Sequence, residues 1–260
     1  MLSNEFWDEK HLLEEMKRIV QASTQRGVTL RGLGAVAIRI HSHGFAQECK
    51  VVARPLTDLD FITYSKQESR AMEVLKDCGY HQDRAREYMR NVLGRSILEN
   101  PDTKLIVDLF FDRLSYNHTL DLRGRLEHDP MTMPLADIFL EKTQIVQINE
   151  KDVKDMILLL REHPAGQGDN ETINVNRICD VLSTDWGFYY TVTSNLDRVS
   201  QYAKDLNGLE KPDRTDILSK IAQIQSAIES SPKSIGWRMR AKIGPKKKWY
   251  ENVENLYAGH

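Results

Sequence analysis

The feature that most constrains the fold is the run Lys104–Phe111 (KLIVDLFF), in which one carboxylate interrupts an otherwise apolar stretch. A short, continuous apolar run of this kind predicts a strand that is buried on both faces of a sheet. An aspartate inside such a strand is costly to bury unless it is paired with a cation or binds a metal ion. Asp108 is therefore the single most informative residue of the sequence.

A second strand, predicted over Leu59–Tyr64, begins next to a pair of aspartates, Asp58 and Asp60. Because side chains two residues apart on a strand point to the same face, these carboxylates are expected to converge. Hard oxygen ligands suit Mg²⁺, which takes few protein carboxylates together with substrate phosphates. By itself such a pair is as readily a solvated charge pair, but Asp108 on a separate strand favours a metal site.

Two glycines, Gly32 and Gly34, stand upstream in the segment RGLGAVAIR, between a predicted short strand (Val28–Arg31) and a helix. Glycine lets the backbone approach a phosphate closely, and a helix N-terminus favours anions. The same segment could instead be the glycine-rich turn at the start of a dinucleotide-binding Rossmann fold. That alternative is disfavoured because no further strand–helix–strand series follows and the paired aspartates would have no role.

Length and composition restrict the class of protein. The chain has 260 residues, enough for a sizeable core, and 36 Lys and Arg against 38 Asp and Glu exclude a strongly basic nucleic-acid coat protein. Its cysteines, Cys49, Cys78 and Cys179, are odd in number and far apart, which favours a reducing compartment over a disulfide framework. The sequence contains neither a signal-peptide pattern nor a long apolar run, so we expect a cytoplasmic protein without a membrane span.

The pattern of elements predicts an α+β protein in which a small mixed sheet, flanked by helices, precedes a mainly helical C-terminal region. We expect a domain over 1–130 and a helical domain over 131–260. Further strand material is predicted over Tyr88–Leu98, with a turn near Gly94. Helices are predicted over Gln67–Cys78, Val175–Leu182, Trp186–Leu206, Ile217–Ile228 and Ile235–Ile243.

The order of these segments resembles the nucleotidyltransferase superfamily with the DNA polymerase β-type fold, and most closely the bacterial AbiEii-like nucleotidyltransferase toxin family. The segments are Gly32 and Gly34 opening a helix that ends in Arg39, Arg54 followed by Thr57-Asp58-Leu59-Asp60, Val107-Asp108, and Glu141-Lys142 followed by Lys151-Asp152 and Asp155. Together they cover roughly residues 28–161 in the family's order.

The resemblance implies roles for these residues. Asp58, Asp60 and Asp108 would hold Mg²⁺ or Mn²⁺ at the triphosphate of an NTP substrate, and Asp108 would help to deprotonate the attacking hydroxyl. Lys142 would complete the catalytic set by meeting triphosphate charge. The implied nucleotide-binding residues are Gly32, Gly34, Arg39, Arg54, Asp152 and Asp155. For Lys142, Asp152 and Asp155, an ordinary charged helix surface is the alternative.

The implied activity is transfer of a nucleoside monophosphate to a hydroxyl of RNA, a protein or a small molecule, and the protein could be a toxin with an antitoxin partner. Two rival functions remain open. A phosphotransferase would use the same site to move the γ-phosphate. A non-catalytic module would bind NTP or RNA without turnover.

The segment Ser231–Tyr250 contains several bases and no acid, interleaved with aromatic residues. Bases with aromatics suit phosphate contacts and base stacking, which predicts an RNA acceptor, transfer RNA as the resemblance suggests. The bases expected to contact it are Arg238, Arg240, Lys246, Lys247 and Lys248. The alternative is a solvated terminal helix packed by its aromatics.

Two histidines, His41 and His43, flank Ser42. The sequence offers no cysteine or carboxylate at a suitable spacing to complete a tetrahedral zinc site with them. A zinc site is therefore not predicted here.

Overall fold

The structure, a computed structural model, describes residues 8–82 and 94–252, without the side chains of His43, Ala46 and Gln47. The chain forms two compact units that are interleaved along the sequence. The first unit comprises Met1–Ile40, Arg54–Leu114 and Asp121–Met133, and the second comprises His41–Ala53, Ser115–Leu120 and Pro134–His260. The division into domains 1–130 and 131–260 stays a prediction.

The predicted α+β class is confirmed. Up to residue 121 the described elements are α1 (Glu9–Gln25), β1 (Leu30–Leu33), α2 (Gly34–His41), α3 (His43–Glu48), β2 (Leu59–Thr63), α4 (Glu68–Asp77), β3 (Arg95–Glu99), β4 (Ile106–Phe111), β5 (Arg113–Ser115) and β6 (Thr119–Asp121). Of the strand predicted over Tyr88–Leu98, the described part is β3, and residues 88–93 lie outside the described residues.

The sheet of the first unit is mixed. Strand β2 pairs antiparallel with β1 and parallel with β4, and β4 pairs antiparallel with β3. One face of the sheet packs on α1 and α4, where the buried apolar residues include Met16, Ile19, Phe61, Val74, Val107 and Leu109. Because side chains alternate along a strand, Asp60 and Asp108 lie on the opposite face.

The second unit is mainly helical beyond residue 134. Its further elements are α5 (Leu135–Thr143), α6 (Glu150–Glu162), β7 (Ala165–Gly166), β8 (Ile173–Asn174), α7 (Val175–Leu182), α8 (Trp186–Asp205), α9 (Lys211–Ser230) and α10 (Ile235–Ile243). Side-chain oxygens begin several of these helices by accepting a backbone N–H, as Asp185 does from Phe188 and Ser234 from Trp237.

The helix predictions for this region hold, with one extension. Helices α7 and α10 have the predicted bounds, whereas α9 begins at Lys211 rather than at Ile217. Pro212 lies in the first turn of α9, where a missing backbone N–H is tolerated. Among the described residues, no helix combines the length and apolar character required to cross a bilayer.

Candidate active site

The two strand aspartates of the first unit lie side by side. Asp60 of β2 and Asp108 of β4 are direct partners in the parallel register, so their side chains project from the same face of the sheet. Asp108 is buried at 8% exposure, whereas Asp60 is half-buried. Asp58 immediately precedes β2 with an exposed side chain, and its Oδ1 accepts a hydrogen bond of 3.0 Å from Thr57.

Gly34 fits closely against this pair. It is the first residue of α2, and its neighbour Leu33 pairs with Asp60 across β1 and β2. A Cβ at Gly34 would lie 2.5 Å from Oδ2 of Asp60, and the φ of Gly34 is +71°. Any other residue would displace the Asp60 carboxylate and strain the backbone. The glycine therefore allows the start of a helix to approach the carboxylate.

Gly32 has a different environment from the one expected of a phosphate loop. It lies within β1, where its N–H donates to the Met131 carbonyl at 3.0 Å and its own carbonyl accepts from Met133 at 2.8 Å. A Cβ at Gly32 would lie 2.3 Å from Sδ of Met16 on α1. Gly32 therefore allows close packing of the helix on the strand, and its N–H is already used within the fold.

Arg95 is a site residue that the sequence analysis missed. Its Nη1 lies 3.1 Å from Oδ2 of Asp108, and its side chain is buried, the whole residue being 5% exposed. The guanidinium also lies 5.5 Å from the centre of the Phe110 ring. Register places Ile97 opposite Asp108, so Arg95 shares that face two residues earlier along β3. The signal was the buried aspartate itself, because it requires a cation nearby.

The other arginines of the predicted site have partners within the first unit. Arg39 is buried, its Nε lies 3.5 Å from a carboxylate oxygen of Glu9, and α2 continues beyond it to His41. Arg54 is half-buried and donates to the carbonyl of Pro55 at 3.1 Å. Contact of either arginine with a nucleotide stays a prediction.

In the second unit, the structure brings together Lys142 of α5 with Asp152 and Asp155 of α6. The Lys142 Nζ lies 3.2 Å from Asp152, 3.4 Å from Asp155 and 3.5 Å from Glu141. Asn149 orients Asp152, since it accepts the Asp152 N–H and donates to its carboxylate at 2.8 Å. Lys142, Glu141 and Asp155 are all buried. This cluster places one ammonium group among three carboxylates. It differs from an ordinary solvated helix face because most of its members are buried.

The C-terminal basic segment divides into two groups. Arg240 donates to the carbonyls of Gly244 and Lys247 at 2.7 and 2.6 Å, and its guanidinium stacks 4.5 Å from the Trp186 ring centre. Lys248 donates to Asn252 at 2.6 Å. These two predicted acceptor contacts therefore also stabilise the local fold. The remaining three, Arg238, Lys246 and Lys247, are exposed.

The aromatics of this segment, Trp237, Trp249 and Tyr250, are half-buried within the second unit. Trp249 donates to the Thr191 hydroxyl at 3.1 Å, and Trp237 lies edge-on to Tyr189 at 5.0 Å between ring centres. The large apolar residues that α10 exposes are Ile235, Met239 and Ile243. Contact of this segment with RNA stays a prediction.

Comparison of the chain with models of protein families, with curated proteins and with solved structures found no match.

Proposed function

We propose that the protein is a Mg²⁺-dependent nucleotidyltransferase that moves a nucleoside monophosphate from an NTP to a hydroxyl acceptor. The observation that carries the proposal is the direct register of Asp60 with Asp108, combined with the fit of Gly34 against Asp60. A structural ion pair would explain Asp108 alone. It would not explain why a second carboxylate and a helix start meet at the same place.

The residues present supply carboxylates of the kind that the metal of this activity requires, although the ligand atoms of Asp58, Asp60 and Asp108 do not all lie within 4.8 Å of one another. Asp58, Asp60 and Asp108 offer hard carboxylate oxygens of graded exposure, a donor set typical of Mg²⁺ or Mn²⁺. Bound there, Mg²⁺ would neutralise charge on the triphosphate and the leaving group. A side chain at Gly34 would displace the Asp60 carboxylate from this donor set.

The chain's own residues account for the other requirements of the reaction. The acceptor oxygen forms a bond to the α-phosphorus while the bond from that phosphorus to the β-phosphate oxygen breaks, and pyrophosphate leaves. Asp108 accepts the proton of the acceptor hydroxyl. Arg95 holds Asp108 in place from β3, and the N-terminus of α2 favours the anionic phosphates.

For Lys142, contact with triphosphate charge stays a prediction. A lysine is a flexible point charge, and Asp152 and Asp155 would hold its ammonium in one position. The same contacts also tie α5 to α6, so a purely structural role of the cluster is tested separately below.

One observation favours a second candidate, a module that binds NTP without turnover. Arg95 offsets much of the cost of burying Asp108, so this aspartate has a structural reason to be present even without catalysis. Both candidates bind NTP, but only the nucleotidyltransferase transfers a group from it. An assay of transfer therefore separates them.

The test is incubation of the full chain with Mg²⁺ and each α-³²P-labelled NTP, together with total RNA or a protein extract. We expect label to appear on one of these pools and to be absent with Asp58→Ala and Asp108→Ala, while the exposed turn variant Asp102→Asn behaves as wild type. Parallel reactions contain γ-labelled NTP. Label transferred only from the γ-position would identify a phosphotransferase instead, and NTP binding without any transfer would support the binding module.

The acceptor class is tested at the exposed bases. If RNA is the acceptor, the double variant Lys246→Ala/Lys247→Ala should lower labelling of RNA by several-fold and reduce the salt dependence of RNA binding. The control is Lys10→Ala/Lys17→Ala, which removes two exposed charges from α1. Equal loss in both double variants would indicate a general charge effect and no specific acceptor surface.

A further inference from the structure

A cluster in the second unit gathers two histidines around one carboxylate, and none of its residues belongs to the proposed NTP site. The Nδ1 of His41 lies 2.9 Å from Oε1 of Glu171, and the Nδ1 of His163 lies 3.5 Å from Oε2 of the same residue. These residues come from the end of α2, the end of α6 and the loop before β8. Each oxygen of the carboxylate thus has one imidazole nitrogen as its neighbour.

The two rings are buried and held in a defined orientation. The side chains of His41 and His163 are 7% and 5% exposed, and their rings are nearly perpendicular, at 76°. Nε2 of His163 lies 3.3 Å from the buried Ser42 hydroxyl. The Nδ1 of the same ring lies 3.4 Å from the backbone carbonyl oxygen of Glu171 and 3.5 Å from its carboxylate, so both ring nitrogens have partners that orient the ring.

The backbone conformation of Glu171 also indicates that its side chain has a defined orientation. Its φ is +44°, in the left-handed region that side chains larger than glycine rarely adopt. A residue held there is strained, and the surrounding contacts must offset that strain. The strained conformation directs the Glu171 carboxylate to the two histidines, while 56% of that side chain remains exposed.

We propose that His41, His163 and Glu171 form a binding site for a divalent transition-metal ion, with Zn²⁺ the best match. Imidazole and carboxylate are the usual donors for such ions. Two ligand atoms about 2.1 Å from a tetrahedral ion lie about 3.4 Å apart. The nitrogen-to-oxygen distances of 2.9 and 3.5 Å bracket that separation, whereas the three donor atoms do not all lie within 4.8 Å of one another, so binding requires the two rings to move closer together.

The charge of the cluster also suits a metal ion, because the Glu171 carboxylate supplies negative charge beside the two imidazoles. The exposed carboxylate provides a route of entry and leaves further coordination positions open to water. Spacing along the sequence could not predict the site, since His41 and Glu171 are 130 residues apart.

The experiment measures binding of Zn²⁺, and of Co²⁺ as a coloured substitute, to the full chain after treatment with a chelator. We expect one equivalent to bind and the visible absorption of Co²⁺ to indicate four-coordinate nitrogen and oxygen ligation. His163→Gln and Glu171→Gln should each weaken binding at least tenfold. Because Glu171 is exposed, its glutamine variant should fold normally. The controls are His128→Gln and Asp180→Asn, at exposed positions.

A further variant distinguishes this site from the aspartates of the first unit. Asp60→Asn/Asp108→Asn should retain Zn²⁺ binding at the wild-type affinity. The proposal is overturned if no stoichiometric binding occurs, or if Glu171→Gln binds as wild type does. It is equally overturned if the Asp60→Asn/Asp108→Asn variant is the one that loses the ion. Zn²⁺-dependent thermal stabilisation of the wild type that is lost in His163→Gln and Glu171→Gln, and retained in Asp60→Asn/Asp108→Asn, would give independent support.

Discussion

Asp60 and Asp108 are direct neighbours across the parallel strands β2 and β4, and both project from the face of the sheet opposite to the α1–α4 core. Parallel register makes this proximity a property of the backbone, so it does not depend on the rotamers of either aspartate. Two carboxylates at neighbouring register positions on one face of a sheet repel each other unless cations compensate their charge. Arg95 supplies one cation, and the proposed Mg²⁺ site would supply the rest.

Replacement of Gly34 by alanine should impair the site more than it impairs the fold. The new Cβ would displace the Asp60 carboxylate, and a positive φ for alanine costs about 1–2 kcal/mol. We expect at least a tenfold loss of transfer activity. The matched control is Gly124→Ala, since Gly124 has a φ of +72° and a Cβ there would meet no described atom within 4 Å. Similar activity losses in the two variants would contradict the role assigned to Gly34.

Removal of the Arg95 charge should strongly destabilise the protein. Arg95→Met leaves Asp108 buried without that cation, which typically costs about 3–5 kcal/mol in the free energy of unfolding. Adding Asp108→Asn should recover much of the loss. Urea unfolding measures both effects. The exposed pair of Lys10 and Glu14 provides the control, and Lys10→Met should change the free energy by less than about 1 kcal/mol.

Lys142 is expected to stabilise the second unit through its carboxylate neighbours. Lys142→Met should lower the free energy of unfolding by about 3–5 kcal/mol, because it leaves Glu141 and Asp155 buried beside each other without their shared ammonium. Asp155→Asn in the same chain should partly restore it. Lys154→Met on α6 is the control, since its partner Glu150 is exposed. An unchanged unfolding midpoint in Lys142→Met would show that the cluster is not structural.

The stability of the protein should fall in mild acid because of His118. Burial lowers the pKa of His118 from 6.5 to about 4, and the ring stacks on Phe188 and bonds to the Thr191 hydroxyl. Between pH 6.5 and 4 the unfolded chain therefore binds a proton that the folded protein does not. The contribution of His118 to the free energy of unfolding is therefore complete above pH 6.5, and it decreases as the pH falls from 6.5 to 4.

The lowered pKa of His118 corresponds to a decrease of about 2 kcal/mol in the free energy of unfolding between pH 7.5 and pH 5. Urea unfolding at both pH values measures this decrease. His118→Gln should remove most of this difference, since glutamine can still bond to Thr191 and does not titrate. His128→Gln, at an exposed histidine, should retain it. A pH dependence that is the same in wild type and His118→Gln would exclude His118 as its source.

Much of the first unit could be predicted from local pattern. The apolar run around Asp108 and the spacing of Asp58 and Asp60 depend on strand geometry alone, and the strands β2 and β4 follow from it. The proximity of Asp60 to Asp108 follows once these two strands are neighbours. The bounds of α7 and α10 were predictable for the same reason, because their apolar periodicity is local.

The remaining features depend on contacts between distant segments. Arg95 could not be assigned because the pairing of β3 with β4 sets which of its residues faces Asp108. The role of Gly32 depends on where α1 places Met16, which no turn pattern records. His163 and Glu171 reach His41 through tertiary packing, so their spacing along the chain carries no signal.

The most direct test of the proposed function is release of pyrophosphate from an NTP by wild type, Asp60→Asn and Asp102→Asn, with folding of each checked by circular dichroism. The assay contains Mg²⁺ and the acceptor pool that the labelling experiment identifies. We predict pyrophosphate release in wild type and Asp102→Asn, its dependence on Mg²⁺, and a loss of at least a hundredfold in Asp60→Asn. Undiminished release by a folded Asp60→Asn protein would contradict the assignment of the active site to this pair of strands.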